Sequence, residues 1–166
     1  WNLVIVGSGA TGVELAGAFV EMKKEILPRD YPNMNFDSLN VILISATDKP
    51  LSVMSDHAQN KSEEYLKNLG VTLLSGEKVI DYDGDRVYME SGLEIPSNNV
   101  IWAAGVVGNV IEGLDPESMV RNRYVTDRYN RVQGYDNIFA IGDVAYMETP
   151  LYPQGHPQVA NVAINQ

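Results

Sequence analysis

Gly7, Gly9 and Gly12 stand in G-x-G-x-x-G spacing, directly after the apolar run LVIV and directly before a stretch with helical periodicity. Glycines in that pattern serve one kind of chemistry: they bring backbone N–H groups against a diphosphate. The first permits a tight turn, the second removes the Cβ that would block a phosphate, and the third lets helix and strand pack closely. Amides at the helix N-terminus, with the positive end of the helix dipole, then face the anion. Ala10 lies within the loop, and Thr11 adds a hydroxyl near the helix start. The alternative reading is a glycine-rich packing turn that holds no ligand.

A dinucleotide site needs a second part at the end of the next strand, where an acid ordinarily holds a ribose hydroxyl. Ser45 occupies that place, followed by Ala46, Thr47, Asp48 and Lys49. A neutral hydroxyl binds ribose more weakly than a carboxylate. It also does not repel a 2′-phosphate, so NADH is favoured over NADPH only modestly. Asp48 is either a substitute ligand or a solvated turn residue.

Other chemistries find little support. The two histidines, His57 and His156, are too few for a metal triad, and the chain has no cysteine. Disulfides, thiolate zinc sites and redox dithiols are therefore excluded. Asp81, Asp83 and Asp85 lack the following bidentate glutamate of a calcium loop and read as a solvated hairpin turn. No metal site is expected. Nucleophile elbow, zinc-protease and P-loop motifs are all absent from the sequence.

The elements that must position the glycines follow from periodicity. Leu3 to Val6 and Val41 to Ser45 are continuous apolar runs, as in strands covered on both faces. A helix is predicted from Thr11 to about Leu27, stopped by Pro28 and Pro32, with Val13, Ala16, Gly17 and Val20 on its apolar stripe. Ser55 is a candidate N-cap for a second helix, which carries Ala58, Ser62, Tyr65, Leu66 and Leu69 on one face and ends at Gly70. VTLL is a third strand. KVIDYDGDRVYMESGLEI then reads as a hairpin meander with a type I′ turn at Asp83-Gly84. NVIWAAG is a further buried strand. Gly108 to Arg123 has no clean period and reads as a crossing segment. A final buried strand is predicted over Ile138 to Ile141, and PQVANVAINQ has helical spacing. Strands alternating with helices imply a Rossmann-like α/β parallel sheet with an antiparallel β-meander.

With 166 residues, 45% hydrophobic and 20% charged, the composition is that of a globular chain. Its formal charge of -10 opposes nucleic acid and anionic membranes as direct partners. The chain contains no apolar run long enough for a transmembrane segment.

The segments VIVGSGATGVELAG, IWAAGV, NIFAIGDVA and PQVANVAINQ together resemble type II NADH dehydrogenases. These belong to the two-dinucleotide-domain flavoproteins that include the disulfide reductases. The resemblance implies that residues 1–110 are an NAD(H)-binding domain. It implies that 111–166 are a crossover and a remnant of a second, FAD-binding Rossmann-like domain, so that the chain reads as an excised central piece. It further implies hydride transfer from NADH to FAD and onward to a quinone, in a cytoplasmic enzyme whose parent is peripheral on the cytoplasmic face of the membrane. Glu14 would lie near the nicotinamide–flavin contact, Ala104 and Gly105 beside the nicotinamide, and Gly142 and Asp143 on the flavin ribityl chain. His156 is open to a role near the flavin or the acceptor. Two departures stand out. Ser45 replaces the usual acid, and Asn161 and Asn165 replace glutamines of the family's A-Q-x-A-x-Q-Q helix, which bears on the quinone. A disulfide reductase, a ferredoxin reductase and a nucleotide-sensing module are the alternatives.

Overall fold

The computed structural model describes residues 1–166, and the chain divides into two compact units, Trp1–Gly105 and Val106–Gln166. No helix is long and apolar enough to cross a membrane.

In the first unit, β1 (Asn2–Val6), β2 (Asn40–Ser45), β3 (Thr72–Ser75) and β7 (Asn99–Trp102) form a parallel sheet in the order β3-β2-β1-β7. Both faces are covered, which is why the central strands carry unbroken apolar runs. Alternate side chains go to opposite layers. Ile5, Val41 and Leu43 meet Ala16 and Val20 of α1 (Ala10–Glu21) and Leu66 of α3 (Asp56–Leu69). Val4, Val6, Ile42 and Ile44 meet Val87, Met89 and Ile95 of the antiparallel meander β4 (Val79–Tyr82), β5 (Arg86–Met89) and β6 (Glu94–Pro96).

Helix α3 has the predicted caps. Ser55 Oγ accepts from Ala58 N, and Gly70 closes the helix in the left-handed region at φ 99°. Tyr65 does not share its buried face and is exposed, because the stripe runs through Leu66, one position further round the helix.

The end of the first helix and the turn of the meander also differ from expectation. Pro28 does not end the first helix. The chain passes from α1 through a π-helical turn, Met22–Ile26, into α2 (Leu27–Asp30). The Leu27 N–H reaches back to the Met22 carbonyl, and Pro28 falls in the first turn of α2, where a missing N–H has no consequence. The turn at Asp83-Gly84 is not type I′, since only Gly84 has positive φ (103°). Asp83 Oδ1 instead accepts from the N–H groups of Asp85 (2.9 Å) and Arg86 (2.8 Å), so a side chain closes the turn.

In the second unit, β8 (Met119–Val120), β9 (Arg123–Thr126) and β10 (Ala145–Met147) form a small sheet in the order β10-β9-β8. A hairpin appears inside the stretch read as a crossing segment. Arg121 (φ 52°) and Asn122 (φ 56°) supply the two left-handed residues of a type I′ turn between β8 and β9. The predicted strand Ile138 to Ile141 does not form. Phe139 makes a single bridge with Arg131, and Phe139 and Ile141 are both exposed. An apolar run becomes a strand only with a ladder beside it, and here one bridge is the whole pairing. Tyr124, Val132, Ala140 and Ala145 make the core of this unit. The final helix, α4, spans Ala160–Asn165.

Helix α1 passes close over the loop that leaves β1: a Cβ on Gly12 would lie 1.8 Å from the Gly7 carbonyl oxygen. Gly12→Ala is expected to lower stability by about 3 kcal/mol, measured by chemical denaturation, because backbone and not a side-chain tip must move.

Candidate functional site

The carboxyl ends of β1 and β7 lie side by side, with Val6 paired to Trp102. From β1 the chain goes one way to β2 and β3, then returns through the meander to the other side of β1 as β7. This reversal of strand order is the place where open α/β sheets bind ligands. The glycine loop leaves β1 here, and Ala104-Gly105 leaves β7.

Three glycines of the loop do three different things. Gly7 has φ 105°, and a Cβ on it would sit 2.5 Å from the Ala103 carbonyl oxygen. Its N–H bonds the Ile44 carbonyl at 2.9 Å. Gly12 packs α1 onto the Gly7 carbonyl. Gly9, the N-cap of α1, has extended backbone, and nothing lies within 4 Å of where its Cβ would be. No contact within these 166 residues therefore requires its lack of a side chain. Gly9, Ala10 and Thr11 are all exposed. No side chain caps α1, so its first-turn N–H groups face outward with the helix dipole behind them. Ala104 and Gly105 are exposed as well, and Gly105 (φ 99°) likewise has open space at its Cβ position. An exposed cradle of amides that a single methyl would fill fits a nucleotide diphosphate.

Ser45 sits at the end of β2 but does not face outward. It is 1% exposed, and its Oγ is 2.6 Å from Ser8 Oγ and 2.9 Å from Thr47 Oγ1. Asp48 is exposed in the turn beyond, and Lys49 donates to Asn60 Oδ1 at 2.6 Å. Glu14 is exposed on α1, off the buried Gly12–Ala16–Val20 stripe and beyond the first helical turn. Trp102, at the end of β7, is 62% exposed.

In the second unit Gly142 (φ 71°) opens a 3₁₀ turn, Gly142–Val144, that leaves Asp143 exposed. The Gly142 N–H donates to Gln166 Oε1 at 2.7 Å, and Gln158 Nε2 donates to the Asp143 carbonyl at 3.1 Å. The turn is thus held from two sides by amides of the α4 region. Asn165 folds back onto the Asn161 carbonyl of its own helix. His156 Nε2 lies 3.2 Å from Thr149 Oγ1, and its ring packs against Tyr152.

Sequence reasoning passed over Arg123. Its Nε donates to the Ala145 carbonyl (2.9 Å), its Nη2 also reaches the His156 carbonyl (3.0 Å), and its guanidinium stacks 5.4 Å from the Tyr146 ring centroid. Burial pulls its pKa below the ordinary arginine value, while the Asp143 carboxylate acts in the opposite direction. One planar fork joins the strand after Asp143 to the loop at His156. Nothing in the pattern RNRYVTD signals this, because the acceptors are main-chain carbonyls far along the chain. Ser8 and Thr47 were also passed over, although a serine between two loop glycines is a visible cue.

Three kinds of relative were found. "Probable NADH dehydrogenase" of Dictyostelium discoideum is 29% identical over 153 residues, covering 92% of this chain and 34% of its own. "Type II NADH:quinone oxidoreductase" of Staphylococcus saprophyticus is 28% identical, covering 99% of this chain and 41% of its own. The chain therefore spans between a third and about two fifths of the length of these curated relatives. Among solved structures, NDH2 from Plasmodium falciparum in complex with NADH superposes with a TM-score of 0.77 at 23% identity, over 88% of this chain and 32% of that one. A ferredoxin reductase from Rhodopseudomonas palustris superposes at 0.73 with 17% identity, over 98% of this chain and 38% of that one. Both likenesses concern the fold. Residues 1–166, the whole chain, match the family described as pyridine nucleotide-disulphide oxidoreductase, and the chain belongs to that family.

Proposed function

We propose that this chain is the nicotinamide-binding part of an FAD-dependent NADH dehydrogenase that delivers electrons to a quinone. The observation that carries the reading is the open position at Gly9, beside the uncapped start of α1 and at the reversal of strand order. The names of the curated relatives support NADH as donor and quinone as acceptor. The chain is proposed as a central portion of its parent. Residues 1–110 bind the dinucleotide, and 111–166 are the crossover and a returning part of the flavin-binding domain. The parent is proposed to be cytoplasmic and peripheral on the membrane.

The residues divide the work as follows. Gly7 and Gly12 set the turn and the helix approach. The amides of Gly9, Ala10, Thr11 and Gly12 hold the diphosphate, stabilised by the helix dipole. The exposed backbone at Ala104-Gly105 admits the nicotinamide close to β7. Gly142 and Asp143 are the residues that would hold the flavin ribityl chain, with Asp143 accepting from its hydroxyls. Bound FAD would supply the redox chemistry, accepting hydride from NADH and passing two electrons to the quinone. Glu14 is proposed to orient the nicotinamide face rather than to move a proton, since hydride transfer needs no general base from this chain.

Two measurements test this. Gly9→Ala has a compatible backbone and open surroundings, and the poorer N-cap preference of alanine offsets its lower unfolded-state entropy, so stability should change by no more than about 1 kcal/mol. NADH affinity, read by fluorescence titration, should fall at least about tenfold, equivalent to 1.4 kcal/mol. Unchanged affinity would remove the cradle from the site. Glu14→Gln in the full-length protein should leave NADH affinity intact while slowing flavin bleaching in rapid mixing by about tenfold. Loss of affinity with an unchanged rate would instead make Glu14 a simple binding residue.

A further inference from the structure

The end of β2 carries a closed relay of hydroxyls that changes the part Ser45 plays. The inference rests on the dinucleotide reading above. Ser45 Oγ has four neighbours: Ser8 Oγ at 2.6 Å, Thr47 Oγ1 at 2.9 Å, Thr47 O at 3.0 Å and Thr47 N at 3.2 Å. A serine hydroxyl has one proton and two lone pairs. The Thr47 N–H fills one lone pair. Thr47 Oγ1 commits its own proton to the Lys49 carbonyl at 2.8 Å. The Ser45 proton therefore goes to Thr47, and the Ser8 hydroxyl donates to the remaining lone pair. Every bonding position on Ser45 is filled, in a residue 1% exposed. A ribose hydroxyl could reach it only by breaking this set.

The other end of the relay is the glycine loop. Ser8 is 8% exposed, and its carbonyl accepts from Leu51 N at 2.8 Å. Gly7, just before it, is tied to Ile44. Side chain and carbonyl of Ser8 are thus both anchored to the chain at and beyond β2, immediately before the open position at Gly9.

We propose that Ser45 is a positioning residue for the diphosphate loop, acting through Ser8, and not a ligand of the adenosine ribose. The strand end that ordinarily recognises the sugar here braces the phosphate cradle. Removing the hydroxyl releases Ser8 and weakens any ligand carrying the diphosphate, whatever its ribose bears.

The test is equilibrium binding of NAD⁺ and of its analogue lacking the adenosine 2′-hydroxyl. The full-length protein is compared as wild type, S45A, S8A and S8A/S45A. S45A should weaken both ligands by the same factor, about tenfold, as expected for a buried group left without its partner. S8A should do the same, and the double variant should bind no more weakly than either single one, since all remove one interaction. Two results would overturn the proposal: a loss in S45A confined to the ligand with the 2′-hydroxyl, or variants that bind both ligands like wild type. Should S45A not fold, S8A decides alone. If the wild type binds neither ligand, the dinucleotide reading itself falls. If it binds both and the variants show no loss, only the relay falls.

Discussion

Backbone meets backbone at Gly7, and the first unit is arranged around that approach. The residue is pressed on one side by the exit of β7 at Ala103-Ala104 and on the other by the first turn of α1 at Gly12. Neither contact admits a side chain. The consequence is geometric: helix start, β1 exit and β7 exit are brought together, and the uncapped amides of α1 must open at the sheet edge. The layered packing serves the same end. Helices cover one face through Ile5, Val41 and Leu43, and the meander seals the other through Val4, Val6, Ile42 and Ile44. A sheet closed on both sides holds its strand ends still, which suits a cradle built from main chain.

Outside the sheets, the connections are stiffened by side chains that bond main-chain groups. Asp83 closes its own turn, Ser45 braces the loop after β2 through the main chain of Thr47, Gln166 holds Gly142, and Arg123 spans two carbonyls. Buried carbonyls and amides need partners, and in irregular segments side chains must supply them. The Gly142–Val144 turn is secured in this way, whereas the glycine loop is held by main-chain bonds at Gly7 and Ser8 and by the Ser8–Ser45 hydroxyl pair.

What could be read from the residues alone follows the same division. The apolar runs Leu3 to Val6 and Val41 to Ser45, the glycine spacing, the Ser55 cap and the Gly70 stop carry their meaning locally, and each has the expected element in the structure. The misses concern features decided by distant partners. Pro28 reads as a stop, but a π turn shifts the bonding pattern so that its missing N–H is harmless. Ile138 to Ile141 has strand composition, yet strand formation depends on a neighbour. The type I′ turn falls on Arg121-Asn122, without the glycine that usually announces one. The position of Ser45 was legible, but its inward orientation depends on Ser8 lying across the sheet edge.

The pairing of β1 with β7 sets an order of assembly. Ala103, against which Gly7 is pressed, lies 96 positions further along the chain (103 minus 7). β2 and α1 can dock on β1 from nearby sequence, but the far wall of the cradle must close a loop containing the entire meander. Such long-range closure is entropically costly and slow relative to local contacts. During synthesis the near wall of the candidate cradle therefore leaves the ribosome before the far wall, which waits on the last strand of the unit to arrive.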